Sequence, residues 1–363
     1  MIMMKSCLKK CYKVWLKVVL ILHLYKEEKL PQFSKDELLR KWKYRKPECV
    51  SESYMMENED KNIFFSIIIP LYNSEVYIES LIRQLVNQKT TYQYEVIFVN
   101  DGSKDSTASV VLKYLKEYPK ILRYYRQENA GISAARNTGI NHARGRYIGF
   151  IDHDDEITGN YIQKIMEVAD LEKADRVIVK YDYKKNGKVQ RTPKIGGFIW
   201  GGCYRREIFD HVRFPVGYWY EDMIGEFLLA PACANTAKIE DVLYYKRVTC
   251  TNASKIVWSD KNNKSLEQLY LMYSLILDYQ KLGFEKNSYL LTRILNESST
   301  LMVKRTRGLD VNTKKQIFLA CNKLIKQYDV KPHSFSKTQQ EFYDVIIGLD
   351  FKKWLLLGKM YGI

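Results

Sequence analysis

The chain of 363 residues is poor in proline, with 8, and has no stretch of low complexity. Its 46% hydrophobic residues and 28 tyrosines exclude an extended disordered chain, because a core of that size can be buried. It has no C-x-x-C pair. Its seven cysteines are an odd number, and Cys7 and Cys11 lack the second pair that a zinc site needs. Scattered thiols fit a reducing cytosol rather than a disulfide framework. No apolar run approaches the roughly 20 residues of a membrane-spanning helix, and no small-residue cleavage site follows the first apolar stretch, which argues against a signal peptide. Acidic residues are in deficit: 58 Lys+Arg against 42 Asp+Glu leave a net charge of +16. A basic surface of this kind seeks phosphate, as nucleic acid, anionic lipid or nucleotide. Nothing resembles a nucleic-acid-binding module, so no nucleic-acid partner is expected.

The deficit is sharpest at the start. Residues 1–26 hold six lysines and no acidic residue. Within them Val14–Tyr25 is apolar, interrupted by Lys17 and His23. One reading is a basic amphipathic helix lying on an anionic membrane surface; the other is a helix packed on the protein itself. Amphipathic periodicity does not separate them. Residues 27–62 are mixed in charge and read as a tether, with a helix near Lys35–Lys43.

Order begins at residue 63. Phe64–Ile69 is a buried strand closed by Pro70, followed by a helix from Val76 with its apolar face at Ile78, Leu81, Ile82 and Leu85. Glu95–Val99 is a second strand, with Asp105 or Ser106 capping the next helix. Ile121–Arg126 is a third strand, and Ser133 starts another helix. Tyr147–Ile151 is a fourth strand, and it ends in Asp152, His153, Asp154 and Asp155. Strand and helix repeated in this way predict a mostly parallel sheet flanked by helices, an α/β class. Such a sheet binds ligands at the carboxyl ends of its strands.

The unusual residues fall at those ends. Pro70, Tyr72, Asn73 and Glu75 follow the first strand, Asp101 the second, Arg136 and Asn137 lie beyond the third, and the acid cluster follows the fourth. Asp152 and Asp154 alternate along extended backbone and point the same way. Hard oxygen ligands at a strand end suit Mg²⁺ or Mn²⁺ bridging a diphosphate. Tyr72 can line a base pocket, Asp101 can accept the N–H of a uracil-type base, and Arg136 can pair with phosphate through its fork of donors. Taken singly, each is commonly a turn or capping residue; together they outline a nucleotide-diphosphate site.

Four segments in order carry a resemblance: Ser66–Asn73 (SIIIPLYN), Val99–Ser106 (VNDGSKDS), Gln127–Gly139 (QENAGISAARNTG) and Phe150–Asp155 (FIDHDD). They resemble the successive motifs of the family 2 glycosyltransferases. The resemblance implies the GT-A (Rossmann-like) fold and inverting sugar transfer from a nucleotide-sugar donor, a UDP-sugar being favoured. It implies that Pro70, Tyr72, Asn73, Glu75 and Asp101 contact the nucleoside and that Arg136 lies near the diphosphate. Asp152 and Asp154 become the D-x-D, with Asp154 the direct metal ligand and Asp155 orienting the loop or replacing it. Phe198–Phe209 resembles the family's Trp-Gly…Tyr-Arg-Arg segment and contains Trp200, although Gly202-Cys203 stands where the family usually has Lys-Leu. Phe214–Asp222 resembles its Glu-Asp motif. Inversion needs one base to take the acceptor proton, and a carboxylate within reach suffices. Asp222 is the candidate, with Glu221 its neighbour or understudy. Tyr218, Trp219 and Tyr220 offer flat faces for sugar rings, or simple core packing.

The expected division is an N-terminal segment and tether over 1–62, a catalytic domain over 63–255 and a helical domain over 256–363. The catalytic domain splits into a nucleotide half, 63–155, and an acceptor half, 156–255. In the acceptor half a hairpin is predicted around Asn186-Gly187. The helical region ends in the basic, aromatic stretch Phe351–Tyr361. The expected activity is metal-dependent, non-processive transfer to a hydroxyl of a cell-surface glycan, lipid-linked or glycoprotein acceptor. A processive synthase would show membrane spans and a Gln-x-x-Arg-Trp motif. The alternative is a catalytically inactive nucleotide-sugar-binding partner of another glycosyltransferase. The expected location is the cytoplasm, at the inner face of the cell membrane if the N-terminal helix binds lipid; self-association into a homo-oligomer is compatible with the helical region.

Overall fold

Every residue of Phe65–Leu71 (β1) is buried, as its unbroken apolar run requires of a strand covered on both faces. It lies in register between Tyr94–Asp101 (β2) and Tyr147–Phe150 (β4), parallel to both, and β2 pairs in parallel with Leu122–Gln127 (β3). The connecting helices are Glu75–Val86 (α1), Thr107–Glu117 (α2) and Ile132–His142 (α3). α1 buries Ile78, Leu81, Ile82 and Leu85, one stripe at helical spacing. α3 has few large apolar residues. It lies close on β1 and β2 because its buried positions include Ser133, Ala135 and Gly139, and Gly139 leaves room for Ile68.

The computed structural model describes residues 12–20, 22, 24–26, 28–34, 47–51, 54–192, 195, 199–248, 264–301, 305–306, 308–328 and 335–361. The helix predicted near Lys35–Lys43, and Cys7 and Cys11, lie outside them.

Beyond β4 the chain runs through Glu156–Ile157 (β5), Tyr161–Leu171 (α4), Arg176–Lys185 (β6), Lys188–Gln190 (β7), Cys203–Arg205 (β8) and Thr236–Arg247 (β9). The sheet order is β3-β2-β1-β4-β8-β6-β9-β5, with β7 paired to β6. β8 is antiparallel to both β4 and β6, and β6 is parallel to β9. Two reversals cancel, so the carboxyl ends of β6 and β9 lie on the same rim of the sheet as those of β1, β2 and β4. The β6–β7 hairpin turns at Asn186 and Gly187, both with positive φ, as a primed two-residue turn demands.

The chain divides into two compact units: Pro47–Asn252 with Leu277–Leu282, and Met1–Lys46 with Ala253–Ile276 and Gly283–Ile363. Residues 47–62, which the sequence pattern places in the tether, are knitted into the first unit. Val50 bridges to Val212, Glu57 N–H donates to Asn141 O at 2.7 Å, and Asp60 N–H donates to Arg144 O at 2.9 Å. The second unit is helical, built from Lys264–Lys281 (α5), Ser288–Leu301 (α6), Val311–Lys326 (α7), Lys337–Ile347 (α8) and Phe351–Tyr361 (α9), the end of α5 from Leu277 being assigned to the first unit. Asp310 caps α7, and Ser336 and Gln339 form a capping box at the start of α8. α9 turns Phe351, Trp354 and Leu357 inward, with Trp354 against Phe318 at 4.9 Å, so its aromatic residues belong to the bundle core.

β8 explains the departure at Gly202-Cys203. A Cβ at Gly202 would overlap the Val177 carbonyl oxygen on β6, a backbone atom that cannot move aside. Cys203 is fully buried in the core. Gly202→Ala is expected to cost about 1–3 kcal/mol, read as a lower thermal midpoint. Gly159→Ala is the control, since a Cβ there meets nothing within 4 Å. Equal midpoints for the two variants would contradict this packing.

Candidate active site

The rim is built first by two loops that cap each other's helices. After β1, Asn73 takes a left-handed φ of 47°, which asparagine tolerates. Its N–H donates to Ser103 Oγ at 3.0 Å, and its Oδ1 accepts from Lys104 N–H at 3.0 Å. Asp105 Oδ2 accepts from Glu75 N–H at 3.1 Å, while Glu75 Oε2 accepts from Ser106 N–H at 2.8 Å. Each acid thus satisfies the free N–H groups at the start of the other's helix. The side chains of Asn73 and Glu75 are therefore occupied in joining the loops. Pro70 is buried within β1, and Tyr72, 47% exposed, leaves its ring open on the rim.

Asp101, at the end of β2, closes the next loop. Its carboxylate accepts from Gln127 Nε2 at 2.7 Å, Ala130 N–H at 2.9 Å and Gly131 N–H at 2.8 Å. Asp101 thereby fixes the start of α3 and, one turn on, Arg136. Asn137 beside it pairs with the Phe214 backbone in both directions, at 3.0 and 2.8 Å. That clamp brings residues 214–222 to the rim.

Arg136 is 3% exposed and joins the two acidic motifs. Its guanidinium donates to Asp152 Oδ1 at 3.2 Å and to Glu221 Oε1 at 3.1 Å, with the Phe214 ring 5.2 Å below. The sequence pattern assigns Arg136 to the diphosphate; here two carboxylates hold it. Asp152 also accepts from Lys246 Nζ at 2.7 Å, and Lys246 reaches on to Asp155 at 3.0 Å. Asp155 accepts further bonds from the Tyr244 hydroxyl at 2.5 Å and from Arg247 N–H at 2.8 Å. The result is a row of alternating charge, buried at Arg136 and Asp155 and half-buried at the others: Glu221, Arg136, Asp152, Lys246, Asp155.

The protonation states follow. Burial works to raise the Asp152 carboxyl, but Lys246 and then Arg136 outweigh it and hold the group well below the usual carboxylate range. Burial works to lower the Lys246 ammonium, and Asp152 and Asp155 more than reverse it. Burial pushes Asp155 up to about 7 against the pull of Lys246. Burial likewise pushes Glu221 up to about 7, with Arg136 opposing and the Asp222 charge adding.

Asp154 differs from its neighbours. Its backbone carbonyl accepts from Arg247 Nε at 2.8 Å, which fixes the loop. Its partly exposed carboxylate takes no hydrogen bond or ion pair among the described residues. Among those residues no group of three or more His, Cys, Asp or Glu side chains is arranged to hold a metal by itself. One open carboxylate beside saturated ones fits Mg²⁺ or Mn²⁺, ions that keep waters and take substrate phosphates as ligands. Asp222 is exposed, while Glu221, its neighbour, is fastened to Arg136.

An aromatic wall stands beside the ion row. Trp200 stacks on Tyr244 at 4.9 Å and meets Tyr181 edge-on at 5.0 Å, with Lys246 Nζ 5.1 Å from its ring. Of the aromatic triplet, Tyr218 and Tyr220 are buried and Trp219 is exposed. The residues that sequence reasoning misses are Tyr244, Lys246 and Arg247. Their only local signal is the short apolar run Val242–Tyr245 that ends in Lys246 and Arg247, with Tyr244 and Lys246 on one face by alternation.

This mostly parallel α/β sheet, with acidic loops gathered at one rim, has the GT-A architecture. Residues 66–223 match the model of glycosyl transferase family 2. The minor teichoic acid biosynthesis protein GgaA of Bacillus subtilis is 38% identical over 212 residues, covering 50% of this chain and 47% of that protein. Against several curated relatives the chain spans about half the other protein's length or less. The fold is shared with S. aureus TarS 1–349, solved in complex with UDP-GlcNAc, at a TM-score of 0.60 and 18% identity over 83% of this chain and 92% of that one. It is shared too with the mannosyltransferase PcManGT of Pyrobaculum calidifontis, solved with GDP-Man and Mn²⁺, at a TM-score of 0.50 and 14% identity over 97% and 96%.

The buried Glu221 carboxyl makes stability depend on pH. Its folded pKa lies above the unfolded value of 4.5, so its contribution is complete below pH 4.5 and is lost as pH rises to about 7. Glu221→Gln removes this titration. Between about pH 5 and pH 8 the thermal midpoint of the variant should rise relative to wild type. A pH-independent difference would contradict the buried, elevated carboxyl.

Proposed function

We propose that the domain carries out inverting, non-processive transfer of a sugar from a nucleotide-sugar, a UDP-sugar being favoured, to a hydroxyl of a cell-surface glycan. The observation that carries this is the placement of Asp154 and Asp222. Each follows a residue fastened from either side or end by Arg136 or its row: Asp154 lies two residues beyond Asp152, and Asp222 one beyond Glu221. One open carboxylate and one exposed carboxylate are thus held on a common frame.

In the proposed reaction the acceptor hydroxyl oxygen bonds to the anomeric carbon on the face opposite the diphosphate. The anomeric C–O bond breaks and its electron pair leaves with the nucleoside diphosphate. The hydroxyl proton passes to the Asp222 carboxylate, which acts as general base. A divalent ion, held by Asp154, would supply positive charge against the leaving diphosphate. Arg136 and Lys246 keep Asp152 ionised and oriented, Tyr72 offers a ring to the base, and exposed Trp219 offers a face to a sugar. The nucleotide-sugars bound by TarS and PcManGT, and the Mn²⁺ bound by the latter, support the donor class and the metal. The teichoic acid role in the name of GgaA supports a cell-surface acceptor.

Asp154→Ala should lower metal-stimulated donor turnover by about a hundredfold or more with the thermal midpoint retained. Unchanged turnover would remove Asp154 from the metal. Asp222→Asn should retain donor binding by calorimetry but lose about 10²- to 10⁴-fold in transfer; transfer at the wild-type rate would place the base elsewhere.

A further inference from the structure

Residues 12–20 form a helix whose turn continues to Leu22, where the N–H donates to Val18 O at 2.9 Å. Leu16, Val19 and Leu20, spaced i, i+3 and i+4, are buried. The chain that follows is fastened to helices of its own unit. The Tyr25 hydroxyl donates to Asp350 at 2.7 Å, Lys315 pairs with Glu28 at 3.0 Å, and Ser34 N–H donates to Gln316 Oε1 at 2.9 Å. The helix therefore has a fixed inner face and a fixed outer one.

The outer face is apolar. Val14, Trp15, Val18 and Leu22 are 43–61% exposed and fall together at helical spacing, and Tyr12 stacks on Trp15 at 5.8 Å. A soluble monomer seldom leaves a contiguous stripe of this kind bare. Lys13 and Lys17, one turn apart, are exposed beside it, and residues 1–26 contain six lysines and no acidic residue. Among the described residues no helix is long and apolar enough to cross a membrane.

We propose that this outer face docks on an anionic lipid bilayer, with the helix lying in the plane of the interface. Charge chooses the occupant. A protein partner would need an acidic groove shaped to the stripe, whereas anionic headgroups meet Lys13 and Lys17 while the acyl boundary takes Val14, Trp15, Val18 and Leu22. Tryptophan suits that depth, since its ring is apolar and its N–H reaches the wet headgroup layer. Neither a short apolar face nor a few lysines alone holds a protein stably; the two together do. The surface uses no residue of the candidate active site, so it stands or falls apart from the proposed reaction.

The test is flotation of the full chain with vesicles of phosphatidylcholine alone and of phosphatidylcholine mixed with phosphatidylglycerol. The wild type should float with the mixed vesicles, and about tenfold less with phosphatidylcholine alone or at high salt. Trp15→Ser with Val18→Ser, and separately Lys13→Glu with Lys17→Glu, should each lower the bound fraction on mixed vesicles about tenfold. The lysine pair is exposed, so its variant should keep the fold, which the thermal midpoint checks. Absence of flotation, or equal flotation of wild type and the lysine variant, would overturn the proposal. So would a wild type that ignores vesicles but sediments as a dimer that Trp15→Ser with Val18→Ser dissociates, since a second copy would then cover the face.

Discussion

The row of alternating charge from Glu221 through Arg136, Asp152 and Lys246 to Asp155 is the constraint on which the rest of the rim depends. A lone buried carboxylate or ammonium loses several kcal/mol of solvation. It is tolerated here because each interior member touches an opposite charge on both sides. Removing one partner would strand the others, at a cost of about 3–5 kcal/mol. The row also fixes direction. Asp152 and Glu221 are fastened by it, while the Asp154 carboxylate stays open and Asp222 is exposed.

The topology makes such a row attainable from distant parts of the chain. Arg136 comes from α3, the acids from the end of β4 and from the 214–222 segment, and Lys246 from the end of β9. β9 reaches the same rim only because β8 reverses the sheet twice. A second buried carboxylate, Glu95, sits near the start of β2, toward the opposite end of the strands. It accepts from Ser66 Oγ, Arg144 and Arg123 at 2.7, 2.8 and 3.2 Å and has no open position. The contrast separates an acid that fastens strands from the acids of the rim, beside which Asp154 keeps an open carboxylate.

Much of the fold is legible in the residues. The apolar runs of β1, β2 and β4, the stripe of α1 and the Asn186-Gly187 turn are local patterns, and local patterns survive into the structure. The four rim loops are legible as well, since turn and acid residues mark the ends of strands. Their individual roles are less so. Asn73, Glu75, Asp101 and Asn137 have the residue types of ligand contacts, and in this structure their side chains bond to backbone N–H and C=O groups of neighbouring loops. Polar residues that cap helices and those that grip nucleotides are the same residues chemically, and only three-dimensional neighbours distinguish them. Lys246 escapes notice for a related reason: its partners lie 94 and 91 positions away, and no period or motif links them.

The most direct measurement is the anomalous signal of manganese in a crystal soaked with Mn²⁺ and a nucleoside diphosphate. If the ion row holds Asp154 open for a metal, the peak should be bonded to an Asp154 carboxylate oxygen, with Lys246 still seated between Asp152 and Asp155. A peak that displaces Lys246 to bind Asp152 and Asp155, or a rim without manganese, would contradict the claim.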